Sequence, residues 1–291
     1  MKSATLIKVA LLFLLVVFVV APFTFLKPKV TEQSVDEPTI KTAEKPQIVI
    51  VKKVIEKPLH DVILPDFAAI KDVRSKKKKF FDFMRPAVVR QNNALLATRA
   101  KLNLWLERVS LELPLSMEED QELTALVKRY RVSKDASPLS QLNELLVRVD
   151  VVPMPLVLVQ AANESAWGTS RFSRIGLNFF GIWCFREGCG MVPGGRNTGA
   201  KHEVAAFKSL DEGVEHYFYN INSHNAYRVF RTIRLELRAQ DQPLNPEVLA
   251  TGLLPYSERG AEYVIDITKM LRHNKQYLIE DKSSLNVVVG D

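Results

Sequence analysis

The stretch from Pro153 to Glu164 constrains the fold more than any other part of the chain. Prolines 153 and 155 open a helix at the one place where a missing N–H costs little, and Leu156-Val157-Leu158-Val159 is apolar on every face. A helix of that kind belongs at the centre of a domain and must be surrounded. The flanking sequence supplies the surround as a series of helical patterns. Pro86 fits the first turn of a helix running to about Ser110, with Val89 and Leu96 on its apolar face and Trp105 as a core anchor, and Leu113-Pro114 ends it. Ser116 with Glu119 makes a capping box for a helix through Leu123, Leu126, Val127 and Tyr130. Ser137 to Val149 gives another, through Leu142, Leu145 and Leu146. Beyond the central helix, Ser209 with Glu212 caps a helix through Val214, Tyr217, Phe218 and Ile221. Tyr227 and Phe230 begin the next, Asn245-Pro246 a short one, and Gly260 a last one through Tyr263, Ile267 and Leu271. His216 and His224 read as packing or cap residues. With 291 residues, 47% of them hydrophobic, the chain can bury such a core, and wholesale disorder is excluded.

The central helix ends on Asn163-Glu164-Ser165-Ala166-Trp167-Gly168-Thr169-Ser170, where small residues crowd around one carboxylate and one large ring. A carboxyl at the end of a buried helix, without a cation beside it, is pushed up in pKa because desolvation disfavours its charged form. An acid still protonated near neutral pH can protonate a glycosidic oxygen as it leaves. Trp167 supplies an apolar wall one turn along. A Glu that merely caps or pairs near a helix end is the plain alternative.

The N-terminus has a different character. Lys2 and Lys8 precede an apolar run from Val9 to Leu26, interrupted by Pro22, which just reaches membrane-spanning length. It reads as an export signal, kept as an anchor to the cytoplasmic membrane or removed as a signal peptide. Residues 27–75, rich in Lys, Glu, Thr, Val and Pro without periodicity, read as an extended spacer. Arg74 and Lys76–Lys79 form a basic block beside Phe80, Phe81 and Phe83, either the solvated start of a helix or a contact for anionic lipid or wall polymer. Residues 76–150 then make a helical N-terminal subdomain, 151–280 the catalytic domain and 281–291 a tail. In an exported chain the only two cysteines, Cys184 and Cys189, are most simply a disulfide pinning a short loop, since a metal site would need two further ligands. Lys201 to Phe207 alternates as one side of a β-hairpin, and Gly194-Gly195 through Gly199 reads as a mobile connection.

Taken together, the Glu164–Ser170 window, Asn178-Phe179-Phe180-Gly181-Ile182, and the pair Tyr256 and Tyr263 resemble the glucosaminidase domain of family 73 glycoside hydrolases, its bacterial Bax branch above all. The likeness spans roughly Lys76 to Tyr277 and includes Lys79-Phe80 to Pro86 and Arg148-Val149-Asp150 to Pro153. It implies an α+β, mostly α-helical, lysozyme-like domain with a small β-rich lobe and N-terminal packing helices. It further implies hydrolysis of a peptidoglycan β-1,4 N-acetylglucosaminyl linkage, with Glu164 as general acid and Tyr256 lining the catalytic cleft. Trp167, Asn178, Phe180 and Tyr263 are the substrate-binding candidates. The usual Tyr-Ala-Thr-Asp run reads Tyr256-Ser257-Glu258-Arg259 here, so the family's aspartate is replaced or shifted. Glu203 is the candidate for the second carboxylate of a two-carboxylate hydrolase, with Glu187 behind it; otherwise the substrate's own 2-acetamido oxygen attacks.

These readings imply no metal or organic cofactor. The expected partners are peptidoglycan glycan strands, and the cytoplasmic membrane through the N-terminal segment, with the protein a monomer at the periplasmic or cell-envelope face. The net charge of +7 fits an anionic envelope partner, and no nucleic-acid recognition motif accompanies the basic block. A lytic transglycosylase and a non-catalytic wall-binding scaffold are the rival readings.

Overall fold

A computed structural model of the chain describes residues 56–278 except Gly195, Asn197, Thr198 and Ala200. The apolar run at residues 9–26 and most of the spacer lie outside the described residues. Among the described residues, no helix is long and apolar enough to cross a membrane.

The central helix, α4 (Met154–Glu164), is as enclosed as its composition requires: Leu156 through Val159, Gln160, Ala161 and Ala162 are all fully buried. Around it lie α1 (Val73–Ser110), α2 (Met117–Arg129), α3 (Pro138–Arg148), α5 (Arg171–Gly176), α6 (Leu210–Ser223), α7 (Arg228–Ala239), α8 (Pro246–Ala250), α9 (Ala261–His273) and α10 (Lys275–Leu278). Two 3₁₀ turns, Asn225–Tyr227 and Thr251–Tyr256, precede α7 and follow α8. The capping expectations hold: Ser116 and Glu119 form a reciprocal box, and Ser137 and Ser209 accept from the backbone three residues on. His224 caps the first 3₁₀ turn.

The small lobe is a three-stranded antiparallel sheet of β1 (Trp183–Cys184), β2 (Gly190–Met191) and β3 (Glu203–Ala205), in the order β1-β3-β2. The segment expected as one side of a hairpin is therefore the central strand, pairing Cys184 with Glu203 on one side and Gly190 with Ala205 on the other. With its mostly helical body and this sheet, the chain has the α+β, lysozyme-like fold that the sequence implied.

Two further sequence expectations change. Pro86 does not start a helix: α1 begins at Val73, capped by Asp72, and runs 38 residues with Pro86 inside it. At 1.5 Å per residue that is about 57 Å of helix. Proline removes one intrahelical bond, but Phe80, Phe81, Met84, Ala87 and Val88 around it are all buried, and that packing holds the helix through the break. The basic block thus forms the opening turns of α1, where the helix dipole disfavours cations.

Residues 56–72, read as spacer, lie against the domain. Leu59 N–H donates to the Ile175 carbonyl, Glu56 pairs with Arg171, and Phe67 is buried edge-on against Phe80 and Phe83. The division drawn at 150/151 is likewise one of sequence only, because a single core runs through both sides and α1 packs on α3, α4 and α6.

Where α3 ends, the chain turns around a buried ion cluster. Arg234, 1% exposed, donates to the carbonyls of Val147, Arg148, Asp150 and Val151 and to Asn222. These include carbonyls that the end of α3 leaves without helical partners. Asp150, also buried, takes two hydrogen bonds from Arg238 at 3.1 and 2.9 Å and lies 3.6 Å from Arg99. Burial raises the Asp150 pKa, but the Arg238 hydrogen bonds and the charges of Arg234, Arg99 and Arg238 outweigh it and hold the carboxyl below its usual range.

Candidate active site

Glu164 is the last residue of α4, and the turn after it is unusual. Ala166, Trp167 and Gly168 take positive φ in succession (50°, 59° and 75°). Left-handed backbone is unfavourable for Ala and Trp, and Ser165 holds it in place, donating to the Ala161 carbonyl at 2.6 Å and accepting from Gly168 N–H at 2.8 Å. Gly168 is required twice over: its φ suits glycine, and a Cβ there would come within 2.5 Å of the Phe67 ring. The sequence Ser-Ala-Trp-Gly is thus the prescription for stopping α4 at its acid.

Trp167 points toward α1. Its ring packs edge-on against Phe80 and Phe81, with the Lys77 ammonium 5.4 Å from its centroid. It fastens the acid-bearing turn to α1, a different place from the expected wall.

The other side of Glu164 is the Asn178–Ile182 loop. The loop reaches the acid at Gly181, whose φ of 65° suits glycine and whose Cβ position lies 3.7 Å from Glu164 Oε2. Asn178 builds this loop. Its Nδ2 donates to the Ile182 and Ala205 carbonyls at 2.8 and 2.9 Å, and its Oδ1 accepts from Phe180 and Ile182 N–H at 3.3 and 3.0 Å. With both ends of the amide occupied and the residue 2% exposed, Asn178 shapes the site and has no free group for a ligand.

Phe180 and Tyr263 are also buried, and they join a closed aromatic ring. Phe180 stacks on Tyr217 with centroids 4.3 Å apart, and its carbonyl accepts from Tyr256 Oη at 2.8 Å. Tyr256 stacks on Tyr263 at 5.5 Å and 9°. Tyr263 and Tyr217 are joined through Gln160 of α4, one helical turn before Glu164. Of this ring Tyr256 is the half-buried member, its phenol proton given to the Phe180 carbonyl.

These surroundings set the chemistry of Glu164. Burial pushes its pKa up, opposed by hydrogen bonds from Asn163 and Tyr263 and by the charge of Arg259. Asn163 Nδ2 donates to Oε1 at 3.1 Å. The tyrosines are pushed up as well, Tyr227 to about 12, and so stay protonated and act as neutral donors. The raised pKa favours the protonated form of Glu164, the form that can give a proton up.

Glu203 does not join it. Its two carboxylate oxygens accept from Gly188 N–H at 3.1 Å, inside the loop closed by the Cys184–Cys189 disulfide, and from Gly190 N–H at 2.8 Å just after it; the two cysteine Cα atoms are 6.3 Å apart. These backbone bonds lower its pKa. Glu187 is exposed. If Glu203 serves the loop alone, Glu203→Gln lowers the melting temperature, because an amide N–H₂ then faces a backbone N–H, and changes the turnover rate less than tenfold. Loss of a nucleophile would cost on the order of a thousandfold or more, and differential scanning calorimetry with initial rates separates the two.

Sequence reasoning missed Gln160, Tyr217, Tyr227, Asn163 and Arg259 as neighbours of the acid. Gln160 left one trace: it is the polar residue inside an otherwise apolar helix, four residues before Glu164 and so on the same face.

The family model for mannosyl-glycoprotein endo-beta-N-acetylglucosaminidase matches residues 140–276 of the chain. Among curated proteins the chain is similar to Protein bax of Escherichia coli (strain K12), 32% identical over 216 residues that cover 74% of this chain and 76% of that protein. No solved structure matches it.

Proposed function

The chain belongs to the mannosyl-glycoprotein endo-beta-N-acetylglucosaminidase family, and from that premise we propose that it is a peptidoglycan hydrolase cleaving a β-1,4 N-acetylglucosaminyl linkage at the cell envelope. The observation that carries this reading is Glu164: a half-buried acid with a raised pKa, ending the central helix beside Gly181. Glu164 protonates the leaving glycosidic oxygen. With both Glu203 oxygens taken by the Gly188 and Gly190 N–H groups, the positive charge growing at the anomeric carbon is met by the substrate's own 2-acetamido oxygen, the recognised exception to the two-carboxylate scheme. Tyr256, whose hydroxyl proton is taken by the Phe180 carbonyl, offers its oxygen lone pair to the acetamido N–H and turns the acetamido oxygen toward that carbon. Water then attacks the anomeric carbon and opens the cyclic intermediate, its proton passing to the Glu164 carboxylate and restoring the acid, and the sugar leaves with a free reducing end.

A disulfide between Cys184 and Cys189 accords with an extracytoplasmic location. The N-terminal run would hold the enzyme at the cytoplasmic membrane, or release it after cleavage, with the catalytic unit acting as a monomer. Mass analysis of glycan fragments from purified peptidoglycan tests the reading. Reducing N-acetylglucosamine ends are expected; anhydro-muramyl ends alone would establish a lytic transglycosylase instead, and no fragmentation at all would leave a wall-binding scaffold.

A further inference from the structure

Most aromatic side chains of this domain serve its packing, but two on the small lobe leave their rings largely in water. Trp183 on β1 is 48% exposed, and Phe185, just past the strand, is 81% exposed. The other two tryptophans differ: Trp105 is buried and Trp167 packs on α1. Large apolar rings set close together on a surface mark a contact. The backbone says where this one stands. Trp183 follows Gly181 by two residues, and the Gly181 Cβ position is 3.7 Å from Glu164 Oε2. Two trans peptide units span at most about 7.6 Å between Cα atoms, so the indole leaves the chain close to the acid.

The strand that carries it is stiff. The Ile182 carbonyl accepts from Asn178 Nδ2 at 2.8 Å and from Ala205 N–H at 2.9 Å, and Trp183 pairs with Val204 of β3. The His202 ring meets the indole edge-to-face, with centroids 4.8 Å apart at 69°. Cys184, between the two exposed rings, is tied to Cys189, and Glu203 holds the N–H groups of Gly188 and Gly190. An aromatic ring fixed before binding loses little freedom when a ligand settles on it.

Resting on the reading of the chain as a glycan hydrolase, we propose that Trp183 is a substrate-binding residue whose indole stacks on a sugar ring in the subsite next to the scissile bond, and that Phe185 meets a sugar unit farther along the same strand. One face of a pyranose presents C–H groups, and these carry the slight positive charge that the negative face of an aromatic ring attracts. The disulfide and Glu203 gain a role from this: they hold the rings at a set distance from Glu164 and take no part in the chemistry.

Binding is measured by isothermal titration calorimetry and by tryptophan emission, using purified uncrosslinked glycan fragments of two and three disaccharide units. The full chain carries Glu164→Gln throughout, so that no fragment is cleaved. Trp183→Ala is expected to weaken both fragments by about tenfold and to remove the emission change that ligand produces, with the melting temperature as the control for packing. Phe185→Ala is expected to weaken the longer fragment alone. An affinity within twofold of the parent in folded Trp183→Ala overturns the proposal, as does failure of both fragments to bind; an unmoved longer fragment in Phe185→Ala overturns its second half. Should Trp183→Ala fail to fold, Trp183→Phe decides, because an emission change that survives loss of the indole comes from elsewhere and overturns the contact. Cleavage plays no part in these measurements. Binding that depends on Trp183, in a parent protein that releases no reducing ends, would sink the hydrolase reading and leave the platform standing; cleavage with unmoved affinities would do the reverse.

Discussion

Glu164→Gln should abolish glycan cleavage, lowering kcat by about a thousandfold or more, while binding of peptidoglycan fragments stays within a few-fold of the parent protein. Gln keeps the shape and the Asn163 contact and cannot give a proton. The effect on stability has the opposite sign. Burial raises the folded pKa of Glu164 above its unfolded value, so the folded chain binds the proton more tightly, and stability falls as pH rises through that interval. At neutral pH the parent protein carries this cost and the variant does not. Glu164→Gln should therefore melt at the same temperature or higher, as expected of an active-site residue whose environment serves chemistry at the expense of stability. Calorimetry beside an assay of reducing ends checks both halves. A variant that is inactive because it melts well below the parent would remove the basis for assigning the proton to this residue.

The second large effect is on folding alone. Asp150→Ala leaves Arg234, Arg238 and Arg99 around an empty place, with Arg234 fully enclosed. Removing one partner from a buried charge cluster typically costs about 3–5 kcal/mol, which for a domain of this size corresponds to a melting temperature lower by on the order of 10 °C. Urea denaturation at neutral pH measures it, and a loss below about 1 kcal/mol would contradict the role given to the cluster. The sign of the pH dependence follows from the lowered Asp150 pKa. A carboxyl depressed on folding contributes fully above its unfolded pKa of about 3.9 and progressively less as pH falls through the folded value. The parent and Asp150→Ala stabilities should converge on acidification below about pH 4.

What the sequence made legible was local. Ser116 with Glu119, Ser137 and Ser209 announce their helices because a cap and its partner lie three residues apart, and the enclosure of α4 follows from its composition. The acid was legible for the same reason, as one charge at the end of an apolar helix. Pro86 misled because the packing that carries α1 through it comes from residues far along the chain. Residues 56–72 read as spacer because their anchors, Arg171 and Ile175, lie more than a hundred positions away. Glu203 looked available because nothing near it in sequence shows that Gly188 and Gly190 turn their N–H groups onto its oxygens. Asn178 lies in the loop expected to meet the substrate but holds that loop's own backbone instead, through carbonyls and N–H groups that composition does not reveal. The strands, two or three residues long, are too short to leave a period.

The ring around Glu164 draws its members from α4, the Asn178–Ile182 loop, α6, the second 3₁₀ turn and α9, and its Gln160–Tyr263 bond joins residues 103 positions apart. The helix that presents the acid is made from residues in the middle of the chain, and the phenol that faces it comes from α9, close to the C-terminal limit of the described structure. A nascent or partly refolded chain would therefore carry Glu164 without the surroundings that make it an acid of use. A chain truncated before α9 should be inert toward the wall even where its earlier helices have formed.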